Sequence, residues 1–211
     1  FGIRYITQNE KFDYLILMDG DGEDRAVEIK SLVNKIQSDP NTSVVAKRVK
    51  RSEGLFFKFL YQMHKLITLL FTGKNINFGN YSCLTKKDAD IISSKPSLWS
   101  SYSGTVKKFI KNFNEINSTR GLRYFGPSKM SFIKLLIHSL SIVAVFKLQV
   151  ILRSLVIIFA LYFTNFFSQN IENIIYFLLI IFNLVIFLIS LRESEKDLID
   201  SQNNLSSIDN Q

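Results

Sequence analysis

The densest chemistry in the chain lies in the turn DGDGEDR, Asp19 to Arg25, which follows directly on the apolar run YLILM. Asp19, Asp21, Glu23 and Asp24 stand so close together that their charges repel one another unless a cation sits among them. Two aspartates separated by one small residue can direct both carboxylates at one divalent ion, and Gly20 lets the backbone approach closely. Magnesium or manganese takes a few carboxylates and fills its remaining positions with phosphate oxygens, so Asp19 and Asp21 fit a metal-bound diphosphate. The same residues also fit a solvated acidic loop closed by an Asx turn. A calcium loop fits less well, because DGDGEDRAVEIK lacks the glycine and terminal glutamate of an EF-hand. Asp24 is placed to cap a helix that begins near Arg25.

The position of the turn matters as much as its charge. YLILM is a continuous apolar run of strand length, as expected of a parallel strand covered on both faces. Ile29, Leu32, Val33 and Ile36 then recur at helical spacing, and Asp39, Pro40 and Asn41 end that helix. SVVAKRV reads as the next strand, which makes a strand, helix, strand unit with the acidic turn at the carboxyl end of its first strand. Ligands bind at such ends in open α/β sheets. A longer helix is expected from about Leu55 to Thr72, stopped by Gly73, followed by a strand around Tyr81 to Leu84 and a helix from near Lys86. SLWSSYSGTVKKFIKNF reads as helical, and RGLRYFGPSKM as an ordered basic loop.

Beyond that loop the chain changes character. The 18 residues between Arg153 and Glu172 and the 19 between Glu172 and Arg192 carry no charge. At about 1.5 Å rise per residue, each crosses most of a hydrocarbon core about 30 Å thick. Helices buried in a large soluble core normally keep a polar face, and NIIYFLLIIFNLVIFLISL has almost none. Lys129, Lys134, Lys147 and Arg153 precede this hairpin, Arg192 and Lys196 follow it, and the connection around Ser168 to Asn173 has no Lys or Arg. The positive-inside rule therefore puts both termini in the cytoplasm. Just upstream, Ser131, Lys134, His138 and Ser141 line one polar seam on an apolar helix, which suits the headgroup region. His138 and His64 each lack a neighbouring ligand-type residue and read as polar helix residues, not metal ligands.

The formal net charge is +8, and the tail from Arg192 to Gln211 holds two basic and five acidic residues, which leaves +11 on residues 1–191. A basic body favours an anionic partner: nucleic acid, a phosphorylated substrate or an anionic membrane. Nucleic acid is the weakest of these, because the basic residues gather beside the spans. The single cysteine, Cys83, leaves no intrachain disulfide and fits a reducing compartment. The opening FGIRYITQNEKF reads as the end of a helix already under way, so an N-terminal portion is expected to precede Phe1.

DYLILMDGDGEDR, followed by SVVAKRVKRSEG and then by RYFGPSKM before the spans, resembles the family 2 glycosyltransferases of GT-A fold. The likeness is to the branch of dolichyl-phosphate mannosyltransferases and bacterial polyprenyl-phosphate glycosyltransferases. It runs from the first residue to the end of the second span. The resemblance implies an α/β fold: a partial, Rossmann-like GT-A domain over residues 1–129, an interfacial helix at 130–147, a two-helix membrane hairpin at 150–191 and a polar cytoplasmic tail at 192–211. It implies a membrane-anchored, metal-dependent, inverting enzyme that moves a sugar from a nucleotide-diphosphate donor to a polyprenyl phosphate. Asp19 and Asp21 match the metal and diphosphate triplet, and Glu23 matches a further metal contact. Arg48 matches the basic residue after the second strand, and Arg123 the arginine that holds an acceptor phosphate, with Lys129 beside it. The helix after Arg48 carries Lys58 and Gln62 where relatives place an Arg and a Ser, which alters the second phosphate clamp. The donor-base half of the family domain would precede Phe1, so residues 1–211 alone are expected to bind nucleotide sugar poorly.

One absence bears on the acceptor. A sugar hydroxyl needs a general base, yet SSKPSLWSSYSGTV contains no carboxylate, whereas a phosphate acceptor is already an anion. Asp88 and Asp90 are the nearest candidates for such a base in the sequence. The alternatives are a family 2 transferase acting on another lipid or glycan, and a non-catalytic membrane protein with a lipid-binding basic collar. The sequence leaves the sugar, the nucleotide base and the oligomeric state open.

Overall fold

The computed structural model describes residues 1–50, 55–124, 126, 131–164 and 166–201, with the backbone alone for residues 50 and 55–58. Four strands, β1 (Tyr14–Leu17), β2 (Val44–Lys50), β3 (Phe78–Thr85) and β4 (Asn114–Thr119), form one mixed sheet in the order β1-β3-β2-β4. β3 runs antiparallel to both β1 and β2, and β4 runs parallel to β2. β1, β2 and β4 therefore point the same way, and their carboxyl ends share one edge of the sheet.

The side-chain alternation of the strands divides the core into two layers. On one face Ile16, Val44, Ala46, Tyr81 and Cys83 pack against Leu32 and Ile36 of helix α2 (Ile29–Ser38). On the other, Leu15, Leu17, Val45 and Leu84 pack against Ala89 and Ile92 of α4 (Lys86–Ser93) and Val106 of α6 (Tyr102–Phe109), with Ile3 of α1 (Gly2–Asn9). The strand, helix, strand order is as read, but its two strands are not neighbours, because β3 lies between them. β1 is consequently an edge strand, half-buried and not enclosed: Tyr14 is exposed and the next three residues are intermediate. β4 has no counterpart in the sequence reading, since NEINST offers no apolar run and becomes a strand through its parallel pairing with β2.

A second core gathers α3 (Leu55–Thr72), α7 (Phe132–Ala144), α8 (Lys147–Thr164) and α9 (Gln169–Ser190) around Phe71, Val143, Val150, Leu179 and Ile186. The rings of Phe71 and Phe182 lie 4.5 Å apart, Arg153 donates to the Leu70 carbonyl at 3.0 Å, and Asn183 donates to Ser154 Oγ at 2.8 Å. α3, preceded by β2 and stopped at Gly73, thus belongs to the helical bundle as well as to the chain path of the sheet. The bundle is joined to the sheet layer where Lys108 of α6 donates to the Val145 carbonyl at 2.6 Å. At the same junction Lys147 pairs with Glu193 at 3.1 Å.

α8 and α9 are long and apolar enough to cross a membrane. With 18 and 22 residues they extend about 27 and about 33 Å. Most of their apolar residues, among them Val156, Phe159, Phe177 and Ile180, are exposed, the opposite of what a helix in a soluble core shows. The first span differs from the uncharged stretch that marked it. The helix starts at Lys147, includes Arg153 and ends at Thr164, and the next begins at Gln169 behind the N-cap Ser168. The connection therefore falls inside the uncharged run, ahead of Gln169.

Candidate functional site

The acidic turn is built by short-range hydrogen bonds and then clamped by a distant loop. The Asp19 amide donates to the Asp24 carboxylate at 2.9 Å, and the Glu23 amide donates to Asp21 at 3.0 Å, which makes an Asx turn. Asp24, 3 % exposed, is thus a buried organiser of the turn, and it also faces Arg48 at 3.7 Å. It is not a helix cap: the chain passes through a single 3-10 turn, Ala26–Glu28, whose N-cap Arg25 makes no side-chain cap bond, before α2 begins.

Residues 120–124 lie directly on this turn. The Gly121 amide donates to the Glu23 carbonyl at 2.8 Å and the Tyr124 amide to the Asp21 carbonyl at 2.9 Å. The contact is close enough to require glycine on both sides. A Cβ on Gly121 would stand 2.4 Å from the Gly22 carbonyl oxygen, and one on Gly22, whose φ is +90°, would stand 2.8 Å from the Tyr124 ring. The guanidinium of Arg123 reaches Glu23 at 2.8 Å and Asp21 at 3.3 Å, and Arg120 also pairs with Glu23. Asn80 at the start of β3 donates to Asp19 at 3.1 Å, and Arg48 lies over Gly79 beside it. Behind the turn, Glu28 accepts from Ser118 Oγ at 2.6 Å and from the Thr119 amide at 3.0 Å, which fastens the end of β4 to the start of α2.

The cations among the carboxylates in this structure are therefore arginines. Asp19, Asp21, Glu23, Arg48 and Arg123 come together from three parts of the chain at the carboxyl edge of β1, β2 and β4. Lys129, and the side chain of Lys58, lie outside the described residues. Sequence reasoning passed over Arg120, Asn80 and Glu28. Arg120 had a signal, three residues before Arg123 in TRGLR, but Asn80 and Glu28 acquire their roles only through the sheet order. Asp88 and Asp90 are turned elsewhere: Asp88 bonds Ser43, just before β2, and Asp90 pairs with Lys86. Ser43 is at the opposite end of β2 from the acidic turn, so neither carboxylate reaches it.

No family model, curated protein or solved structure matches the chain. The chemistry of the site consequently rests on its own donor set. Among the described residues no cluster of three or more His, Cys, Asp or Glu side chains is arranged as a metal cage. A magnesium-class ion carrying a diphosphate does not need one, because it takes one or two protein carboxylates and completes its shell with phosphate and water. Asp19 and Asp21 offer two carboxylates, of which Asp21 already has one oxygen on the Glu23 amide and the other facing Arg123. Glu23, with both oxygens engaged by Arg120 and Arg123, is a holder of the arginines in this arrangement.

Burial and charge act in opposite directions on the two inner carboxyls. Partial burial pushes Glu23 up, but the hydrogen bonds and charges of Arg123 and Arg120 outweigh it and leave the group below its ordinary range. For Asp24 burial dominates over the Asp19 amide and Arg48, and the carboxyl is raised. The Glu23 pairs thus add stability that is full above its ordinary value of 4.5 and is lost as pH falls through its lowered folded value. Asp24 has the reverse sign: its charged form opposes folding above its raised value, and that opposition fades as pH drops through it. Amide exchange at Gly121 and Tyr124, corrected for the intrinsic rate, is expected to stay slow down to about the ordinary glutamate range and to accelerate below it. Protection that does not weaken at any pH below that range would show that the Glu23 pairs do not hold the loop.

Proposed function

We propose that the protein is a membrane-anchored glycosyltransferase of GT-A type that moves a sugar from a nucleotide-diphosphate donor to a polyprenyl phosphate. The observation that supports this most is the convergence of Asp19 and Asp21 with Arg48 and Arg123 at the carboxyl edge of β1, β2 and β4. In this reading Asp19 and Asp21 hold the magnesium or manganese ion, which offsets negative charge on the departing diphosphate. Arg123 exchanges its contacts with Asp21 and Glu23 for the acceptor phosphate, and Arg48 adds positive charge at the same edge. An acceptor phosphate oxygen attacks the anomeric carbon as the bond from that carbon to the diphosphate oxygen breaks, with inversion. The nucleoside diphosphate leaves with the bonding electron pair. No general base is required, in keeping with Asp88 and Asp90 being engaged at the far end of the sheet.

In this reading the spans α8 and α9 anchor the domain, and the basic residues at both ends of the hairpin favour a cytoplasmic side for the sheet domain and the termini. The partners are the donor, the lipid phosphate and the membrane, and not nucleic acid. Calorimetric titration of protein made from its complete coding sequence, in lipid nanodiscs, is expected to show nucleoside diphosphate binding only when magnesium or manganese is present. Equal binding with and without metal, or none with either ion, would overturn the assignment. The pairing of Asp21 and Glu23 with arginines favours one other reading, a non-catalytic salt-bridged lock that fixes a lipid-binding basic collar. Absence of nucleotide binding would select it.

A further inference from the structure

The polar seam of α7 does not simply face outward. Together with Ser100 of the short helix α5 (Ser97–Ser100) and the end of α9, it lines a cleft of about 580 Å³ at the base of the hairpin. Lys134 and Arg192 bring positive charge to it, His138 adds an imidazole, and among the described residues no carboxylate lines it. Ser100 Oγ is buried there without a hydrogen-bond partner among the described residues. Leu188 and Ile189 make an apolar wall on the α9 side. The nearby acid Glu193 pairs with Lys147 through one carboxylate oxygen.

We infer that this cleft binds the phosphate headgroup of an anionic phospholipid. Lys134 and the forked guanidinium of Arg192 are suited to phosphate oxygens, and the Ser100 hydroxyl supplies a further donor. The apolar wall continues into α9, whose exposed Leu184 and Leu188 and the exposed Leu136 of α7 provide a surface for acyl chains. A free phosphate would satisfy the cations but leave that wall uncovered, so a lipid uses the whole cleft. A headgroup held here would fix α7 against α9 and so set the sheet domain on the membrane surface. The inference rests on the membrane reading of α8 and α9.

The test uses the full chain in detergent, with its two histidines isotopically labelled, titrated separately with dihexanoyl phosphatidylglycerol, dihexanoyl phosphatidylcholine and inorganic phosphate. Phosphatidylglycerol is expected to shift the His138 ring resonances saturably and to leave those of His64 in place. Lys134→Gln and Arg192→Gln, both at exposed positions, are each expected to weaken that binding about tenfold. Inorganic phosphate and phosphatidylcholine are expected to bind far more weakly. The proposal is overturned if phosphatidylglycerol gives no saturable shift or if the double variant binds it as tightly as the parent. It is overturned equally if inorganic phosphate matches it, which would make the cleft an anion site, or if phosphatidylcholine does, which would remove the role of charge. Extraction of the protein from membranes by alkaline carbonate would separately contradict the membrane reading, so the two failures are distinguishable.

Discussion

Asp21→Asn is expected to reduce sugar transfer by about a thousandfold, the scale of losing one preorganised charge-stabilising group, while membrane insertion stays unchanged. The substitution is chosen over Ala for a structural reason. Asp21 accepts from the Glu23 amide at 3.0 Å, and an asparagine oxygen can accept the same bond, so the Asx turn survives. What disappears is the negative charge that would hold a divalent ion and that faces Arg123 at 3.3 Å. Asp21→Ala removes the turn bond as well, and its loss of transfer is accompanied by a looser turn. The measurement is transfer from a panel of radiolabelled nucleotide sugars to polyprenyl phosphate in membranes, with carbonate extraction as the control for insertion. Activity retained in Asp21→Asn would remove Asp21 from the proposed metal site, whatever the result for Ala.

The second large effect is expected from a residue with no side chain. Gly121→Ala places a Cβ 2.4 Å from the Gly22 carbonyl oxygen, which is backbone and cannot rotate away. Either the acidic turn deforms or residues 120–124 lift from it, and the cost is about 3 kcal/mol, the upper end for overpacking a tight contact. Lifting breaks the Gly121 and Tyr124 amide bonds and carries Arg120 and Arg123 away from Glu23. The expected result is fast amide exchange across residues 120–124, loss of transfer and an unchanged sheet core. Slow exchange at Tyr124 in the variant would show that the loop is held by something other than this contact. Comparison with Asp21→Asn separates the two causes of inactivity, since only Gly121→Ala releases the loop.

The parts legible in the sequence were those governed by local pattern. Leu32 and Ile36 announced α2 by spacing, Gly73 announced the end of α3, and the uncharged stretches announced two long apolar helices, because hydrophobic periodicity and backbone punctuation act over a few residues. The crowding of carboxylates from Asp19 to Asp24 was equally plain, and it alone implied a neutralising cation. Which cation faces each carboxylate, however, is a tertiary matter. Arg48 reaches Asp24 because β2 ends at the same edge as β1, and Arg123 reaches Asp21 because β4 delivers its loop to that edge.

The misread elements have the same physical origin. β1 was taken for an enclosed strand because an apolar run does not encode its neighbours, and it became an edge strand once β3 inserted between it and β2. NEINST carried no strand pattern, since its strand state comes from backbone bonds to β2 and not from its own side chains. The break between Thr164 and Gln169 lay inside an uncharged run, where charge counting has no resolution. The sequence by itself determined which residues carry charge, which helices are apolar enough for a membrane, and that a cation belongs in the acidic turn. Only the tertiary structure decided that arginines from β2 and from the loop after β4 meet those carboxylates and that Lys134, His138 and Arg192 share a cleft. Charge and hydrophobicity are properties of single residues, whereas a site is a set of distances that strand order and helix packing impose.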